Sequence, residues 1–131
     1  MKTLIVEDDF TSRVLLQEIL RPFGACHIAV DGKEAIEAVR VALEANDPYQ
    51  LICLDIMLPN MDGQEALKRI RALEVNHWPN EDHLAKVIMT TALDDMKNVI
   101  AAYSNLCDGY LVKPIEKNKL LAELYKLGIL F

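Results

Sequence analysis

The chain lacks several features that mark common functional classes. It carries 14 Lys and Arg against 20 Asp and Glu, so it lacks the basic surplus that contacts with nucleic-acid phosphates require. It has no apolar run near the roughly 18 residues of a membrane span, and no signal peptide at its start. These absences predict a protein that binds neither nucleic acid nor membrane.

Cysteine is also scarce, and its spacing fits no metal site. Cys26, Cys53 and Cys107 are odd in number and far apart in sequence. Two of them lie in or beside strand-like runs, so we expect reduced, partly buried thiols. His77 and His83 lie six residues apart without a nearby thiolate, which argues against a metal site between them.

What the chain does contain is a regular alternation of strand and helix patterns. With 131 residues, 52% of them hydrophobic and 26% charged, it fits one globular domain over residues 1–131, without linker or repeat. Strands are predicted near 2–6, 25–30, 51–54, 86–90 and 108–112, and helices near 11–21, 32–45, 63–74, 94–105 and 116–127. The polar stretch 74–85 is predicted as a long loop. Alternation of this kind predicts an α/β fold with a parallel sheet.

Four of the five predicted strands end on polar side chains that suit one kind of site. The first is followed by Glu7 and Asp8, the third by Asp55, the fourth by Thr90 and Thr91, and the fifth by Lys113 and Pro114. In an open α/β sheet, ligands bind outside the carboxyl ends of the strands. Three carboxylates, a hydroxyl and an ammonium would therefore meet at one edge, where they could hold a hard divalent cation and a phosphoryl group.

The three carboxylates have a physical reason to recruit a cation. Glu7, Asp8 and Asp55 would repel one another, so they either share a proton or bind a metal, and Mg²⁺ favours oxygen ligands. Taken singly, each residue has an ordinary explanation: Asp8 or Asp9 could be a helix N-cap, and Lys113 a solvated lysine. The coincidence of all of them at successive strand ends favours the shared site.

The motifs at these positions resemble the receiver domain of bacterial response regulators, in particular single-domain regulators of the CheY type. The likeness covers the whole chain and comprises four motifs. They are an acidic pair (Glu7-Asp8), an Asp followed by Ile-Met-Leu-Pro and Met-Asp-Gly (Asp55 to Gly63), a Thr-Ala pair (Thr91-Ala92) and a Lys-Pro pair (Lys113-Pro114). The resemblance implies a flavodoxin-like, doubly wound, five-stranded parallel sheet of order 2-1-3-4-5 with five helices.

The resemblance also implies a role for each acidic residue. Asp55 would be the phosphoacceptor that forms an acyl phosphate. Asp8 and Asp55 would ligate Mg²⁺ directly, the backbone carbonyl of Met57 would be a third ligand, and Glu7 would act through water. Asp9, one place past the acidic pair, is not expected to be a ligand.

For the phosphoryl group, the resemblance implies three partners. Thr91 would hydrogen-bond one phosphoryl oxygen, helped by the Ala92 N–H, and Lys113 would pair with another oxygen. Thr90 is the alternative to Thr91, which is preferred because the small Ala92 follows it. Metal and lysine would neutralise charge on the transferring group.

The resemblance further implies a phosphoacceptor signalling protein in the cytoplasm rather than an enzyme. A histidine kinase or histidine phosphotransfer protein would donate the phosphoryl group, and an unknown protein target would read the result. Thr91 and Tyr110 would act as the switch, and the surface near Met96, Val99, Tyr103 and Tyr110 would change its affinity for a partner.

Two other functional classes stay open on the sequence. A haloacid-dehalogenase-like phosphatase also uses an aspartate at a strand end. The pattern of such phosphatases has a second Asp two residues after the nucleophile, where this chain has Met57. A flavodoxin-like nucleotide or flavin binder needs a Ser/Thr/Gly-rich loop after the first strand, where this chain has Glu-Asp-Asp-Phe.

The apolar Met57 and Leu93 also predict slow loss of the phosphoryl group, because neither can orient a hydrolytic water.

Overall fold

A single five-stranded sheet organises the chain. The computed structural model describes residues 1–78, 84–92 and 106–130. Its strands are β1 (Thr3–Val6), β2 (Cys26–Ala29), β3 (Leu51–Asp55), β4 (Lys86–Thr91) and β5 (Gly109–Val112). All neighbours are parallel and the order is β2-β1-β3-β4-β5, which confirms the predicted topology. The carboxyl ends of the strands therefore share one edge.

Helices cover both faces of this sheet. Those described are α1 (Phe10–Leu20), α2 (Gly32–Glu44), α3 (Gly63–His77) and α4 (Lys117–Lys126), with a short 3-10 helix at Arg21–Phe23 after α1. The helix predicted near 94–105 lies outside the described residues. Within the described ranges, none of the helices has the length and apolar character that a membrane crossing requires.

The sheet is held by two apolar layers, one on each face. Alternate residues of β1 go to opposite layers: Leu4 and Val6 pack with residues of α2 and α3, while Ile5 packs with residues of α1 and α4. This explains why the central strands are continuous apolar runs in the sequence, since parallel strands covered by helices are buried on both faces. The same alternation fixes which polar side chains at the strand ends share a face.

Three helices begin at an aspartate that accepts a hydrogen bond from the backbone. Asp9 Oδ2 accepts from the Ser12 N–H at 2.9 Å at the start of α1, so Asp9 is the N-cap there. Asp31 and Asp62 cap α2 and α3 in the same way, at 2.8 and 2.9 Å. These caps set the direction in which each chain segment leaves the sheet edge.

One predicted boundary is wrong. The third helix was expected to end near residue 74, but α3 continues to His77. Glu74 is buried inside the protein and bonded on both sides, to the Arg71 guanidinium at 2.7 Å and to the Ala85 N–H at 2.7 Å. Because Glu74 is polar although its position is buried, the apolar period of the sequence ended there, one turn before the helix does.

The other predicted strands and helices that the structure describes agree with it to within one residue at each end. The three cysteines are free thiols, as expected, and Cys53 is buried in the sheet. Burial raises the pKa of the Cys53 thiol to about 12. This thiol is therefore a packing residue and a poor nucleophile.

Candidate functional site

The site is set by strand register and side-chain alternation. Val6 of β1 pairs with Leu54 of β3, so Glu7 and Asp55 lie next to each other at the carboxyl edge. Ile5 and Cys53 belong to the apolar layer shared with α1 and α4. Glu7 and Asp55 lie two residues after them, so both side chains point to that face. Both carboxylates are buried, with Glu7 1% and Asp55 3% exposed.

A single lysine joins these two carboxylates. Lys113 follows β5, and its Nζ lies 2.9 Å from Glu7 Oε2 and donates to Asp55 Oδ2 at 3.1 Å. The other oxygen of each carboxylate accepts from a nearby backbone N–H: Glu7 Oε1 from Asp9, and Asp55 Oδ1 from Met57, both at 3.1 Å. The lysine therefore reaches from one edge strand to the centre of the sheet.

Asp8 completes an acidic cluster around this pair. Oxygens of Glu7, Asp8 and Asp55 all lie within 4.8 Å of one another, a grouping suited to one metal ion. Asp8 is exposed while the other two are buried, so the cluster opens to solvent on the Asp8 side. Asp9 points away from this cluster, because its carboxylate caps α1.

The loop after Asp55 is held close to the sheet by a glycine. A Cβ on Gly63 would lie 2.7 Å from the Asp55 carbonyl oxygen and 2.9 Å from Ile56 Cα, so any side chain there would displace the loop. The Gly63 N–H also donates to the Ile56 carbonyl at 3.0 Å. Sequence reasoning treated Gly63 only as a loop marker and as part of a motif, since a close backbone approach leaves no other signal in one sequence.

Burial and the neighbouring charges shift the pKa values of Glu7 and Lys113. Burial, with the nearby charge of Asp55, raises the pKa of Glu7 to about 7, although the Lys113 ammonium opposes the shift. Burial on its own lowers the pKa of Lys113, but its contacts with Glu7 and Asp55 outweigh burial and raise it. At neutral pH the lysine is charged, and Glu7 is divided between its protonated and ionised forms. Among the described residues, one ammonium thus contacts two of the three carboxyl groups of the cluster.

This donor set fits a hard divalent cation. All the groups are oxygen donors, one carboxylate faces solvent, and Glu7 Oε2 is buried without an aligned hydrogen bond among the described residues, despite its ion pair with Lys113. Mg²⁺ needs one or two carboxylates and keeps several waters, which matches a cluster with an open side. The Met57 residue that would provide a carbonyl ligand is 70% exposed.

The two threonines at the end of β4 differ in their surroundings. Thr90 is the register partner of Asp55, while Thr91 follows it and points to the opposite face by alternation. The Thr91 hydroxyl donates to the Ala92 carbonyl at 3.2 Å, and the Lys113 N–H donates to the Thr91 carbonyl at 2.7 Å. Both threonines are buried. A contact of Thr91 or the Ala92 N–H with a phosphoryl group stays a prediction.

Tyr110 lies on the same face of the sheet as Thr91. Its ring packs against the layer shared with α2 and α3, beside Leu106 and Cys107. Its hydroxyl is buried, and burial raises the pKa of this phenol. The other predicted surface residues, Met96, Val99 and Tyr103, lie outside the described residues, as do His83 and Leu93.

Comparison with known proteins identifies the family of the chain. The family model of the response regulator receiver domain matches residues 3–125. The chain belongs to this family. Among curated relatives, it is 37% identical to the regulatory protein VanRB of Enterococcus faecalis over 125 residues, which cover 92% of this chain and 49% of VanRB. It is 30% identical to the chemotaxis protein CheY of Listeria monocytogenes over 126 residues, which cover 96% of this chain and 97% of CheY.

Solved receiver structures share the fold. The receiver domain of a Francisella response regulator is 28% identical, with a TM-score of 0.71 and coverage of 96% of this chain and 94% of that one. The receiver domain of the sensor histidine kinase PA1611 from Pseudomonas aeruginosa has a TM-score of 0.74 at 24% identity and 97% coverage of both chains, and it holds a magnesium ion in its active site cleft. The chain spans about half of VanRB and 9% of the yeast osmosensing histidine kinase SLN1, so receiver domains occur both alone and within longer proteins.

Proposed function

We propose that this receiver domain takes a phosphoryl group on Asp55 in a Mg²⁺-dependent reaction. The observation that carries the proposal is the position of Asp55: it is buried, bonded to Lys113, and within one acidic cluster with Glu7 and Asp8. A buried carboxylate used only for structure is matched by its own cation and donors, as Glu74 is by Arg71 and the Ala85 N–H. Here the carboxylates outnumber the cation at the edge of the sheet where ligands bind.

The metal would be held by residues that the fold brings together. Asp8 and Asp55 are proposed as direct ligands, with the Met57 backbone carbonyl as a third, and Glu7 is proposed to act through a bound water. When bound, Mg²⁺ would supply positive charge beside the phosphoryl oxygens. The magnesium ion in the PA1611 receiver structure supports a site of this kind in the fold.

The chemical step is a transfer between two side chains. A carboxylate oxygen of Asp55 forms a bond to phosphorus while the bond between phosphorus and a histidine nitrogen of the donor breaks, and the electron pair stays on that nitrogen. Lys113 then pairs with a phosphoryl oxygen, and Thr91 with the Ala92 N–H would bind another. The protein contributes position and charge, which is most of what phosphoryl transfer requires.

The donor and the output follow from the family. Receiver domains work with histidine kinases and phosphotransfer proteins, and several relatives are themselves histidine kinases. We propose a cytoplasmic signalling protein whose phosphorylation changes a surface near β5. Tyr110 would take part in that change through its place on the same face of the sheet as Thr91. A downstream protein target would bind the changed surface.

Incorporation of phosphate tests the proposal. The protein is incubated with acetyl phosphate and Mg²⁺, and intact-mass spectrometry follows the added group. We expect one phosphoryl group per chain in the parent, none in Asp55→Asn, and near-normal incorporation in Asp9→Asn, whose side chain still caps α1. Full labelling of Asp55→Asn would contradict the proposal. Steady release of phosphate without a labelled protein would favour the phosphatase alternative.

A further inference from the structure

Thr90 is the β4 residue next to Asp55, and the receiver function proposed above gives it no role. Register pairs the Cα atoms of Asp55 and Thr90, and the Ile56 N–H donates to the Thr90 carbonyl at 3.2 Å. The strand end that carries Asp55 is thus bonded directly to Thr90. Any change at the Asp55 carboxylate takes place beside this threonine.

The Thr90 side chain shares a face with Asp55 and Lys113. Cys53, Ile88 and Leu111 belong to one apolar layer. The three polar residues follow these by two positions each, so alternation directs them to the same side of the sheet. Thr91, one residue on, points to the other side.

Lys113 has to pass Thr90 to reach its partners. It begins after β5, and its Nζ lies 3.1 Å from Asp55 Oδ2 on β3. Neighbouring strands lie about 4.8 Å apart, and β4 is between these two. The lysine side chain therefore crosses β4 on the face that carries the Thr90 side chain.

The Thr90 hydroxyl is buried, and it has no hydrogen-bond partner among the described residues. A buried hydroxyl without a partner disfavours the state in which it occurs, and valine would fill the same space without that cost. An unpaired hydroxyl beside a functional carboxylate is placed to gain a partner when the state of that carboxylate changes.

Phosphorylation provides that state, if the proposed function holds. Forming the acyl phosphate removes the negative charge of the Asp55 carboxylate, so Lys113 exchanges its ion pair with Asp55 Oδ2 for one with a phosphoryl oxygen and its ammonium has to shift. We propose that Thr90 is a positioning residue whose hydroxyl oxygen then accepts a hydrogen bond from the Lys113 ammonium. The ammonium is thereby held between Glu7, Thr90 and the phosphoryl oxygen.

The test compares Thr90→Val and Thr90→Ser with the parent. Thr3→Val is the matched control, because the Thr3 hydroxyl is also buried without a described partner, but at the opposite end of β1. Two quantities are measured: the melting temperature with a chelator present, and the affinity for beryllofluoride, a phosphoryl mimic, with excess Mg²⁺.

The proposal predicts effects of opposite sign for Thr90→Val. Its melting temperature without metal should equal or exceed the parent's, while its affinity for beryllofluoride should fall by about five- to tenfold. Thr90→Ser should keep the parent's affinity to within about twofold, and Thr3→Val should raise the melting temperature without changing affinity. A merely structural hydroxyl would not separate the two measurements in this way.

Unchanged beryllofluoride affinity in Thr90→Val would overturn the proposal, and so would an equal loss in Thr90→Ser. A parent protein that neither binds beryllofluoride nor incorporates phosphate would instead overturn the proposed function itself. The two failures are therefore told apart by the parent alone.

Discussion

The two edges of the sheet carry two clusters of buried charge that differ in how well they are matched. At the carboxyl edge, Lys113 faces Glu7 and Asp55, with Asp8 beside them. At the opposite edge lies a second cluster, here called the far-edge network, made of Arg71, Glu74 and Asp108. Both clusters join residues distant in sequence, so both could be taken for functional sites.

The charged groups of the far-edge network bond to one another and to the nearby backbone. The Arg71 guanidinium contacts Glu74 at 2.7 Å and Asp108 at 3.2 Å, and it also donates to the Ala85 and Leu106 carbonyls at 2.8 and 2.9 Å. Each carboxylate in turn accepts from the start of β4: Glu74 from the Ala85 N–H, and Asp108 from the Val87 N–H, at 2.7 and 2.8 Å.

The difference separates a structural cluster from a binding site. In the far-edge network each carboxylate has a cation and a backbone donor within the part of the chain that the structure describes, since Arg71 contacts both and Lys86 Nζ lies 3.9 Å from Asp108. At the carboxyl edge the described residues bring one ammonium to three carboxyl groups; it contacts two of them, and the third faces solvent. Burial alone does not mark the functional site; an excess of one charge at an open strand edge does.

The largest effect on stability should come from breaking the far-edge network. Replacing Arg71 with Met leaves the buried Glu74 without its cation, leaves Asp108 only Lys86 at 3.9 Å, and removes the donor to two backbone carbonyls. We expect a loss of about 3–5 kcal/mol in the free energy of unfolding, measured in urea. Arg69→Met, which breaks an exposed pair with Glu65, is the control and should cost less than about 1 kcal/mol. Equal losses would show that the network adds nothing to stability.

Gly63→Ala should affect stability and function together. Its Cβ would meet the Asp55 carbonyl oxygen at 2.7 Å, so the loop after β3 must shift. We expect about 1–3 kcal/mol of destabilisation and slower phosphorylation at temperatures where the variant is folded. Gln64→Ala, one residue on in α3, controls for a change in the same helix turn. A variant with the parent's phosphorylation rate would show that the close approach is not needed.

The acidic cluster should make stability fall as the pH rises when no metal is bound. The pKa of Glu7 is about 7 in the folded protein against 4.5 when unperturbed, so the folded state holds the proton more tightly between these values. The contribution of Glu7 to stability is then largest below about pH 4.5 and declines until about pH 7, by on the order of 1–3 kcal/mol.

Urea unfolding at pH 5 and pH 8 in a chelator measures this decline. Glu7→Gln cannot ionise and should show a smaller difference between the two pH values. Excess Mg²⁺ should also reduce the difference in the parent, since it binds the ionised cluster. If Glu7→Gln and the parent change equally, Glu7 is not the group responsible.

The smallest expected effect concerns the lifetime of the phosphorylated state. Met57 follows Asp55 by two residues, is mostly exposed, and cannot orient a water strongly. Met57→Asn should speed loss of the phosphoryl group several-fold, and Met57→Asn with Leu93→Glu more so. The decay is followed by intact-mass spectrometry in excess Mg²⁺. Unchanged decay in the double variant would exclude these positions as determinants of lifetime.

Much of the fold could be predicted from the sequence because its signals are local. Apolar runs locate the strands, and the Asp caps locate helix starts such as Asp31. The residues at the strand ends could be grouped because parallel strands share an edge. The end of α3 and the far-edge network could not be predicted, since the burial of Glu74 and the contacts of Arg71 with Asp108 arise only when distant segments pack together.

The candidate site shows the same limit on a smaller scale. The sequence pattern brings Glu7, Asp55 and Lys113 to one edge, but it says nothing of the lysine contacting both carboxylates. It prefers Thr91 to Thr90 only because Ala92 follows, and it does not show which face of the sheet each side chain meets. Register and alternation supply that information, and both are properties of the folded sheet.

The most direct test of the account is to identify the residue that carries the phosphoryl group. After reaction with acetyl phosphate and Mg²⁺, borohydride reduces an acyl phosphate to an alcohol, which peptide mass spectrometry then locates. The account predicts reduction at Asp55 alone, with none at Glu7 or Asp8. Modification of another residue, with Asp55 unchanged, would contradict it.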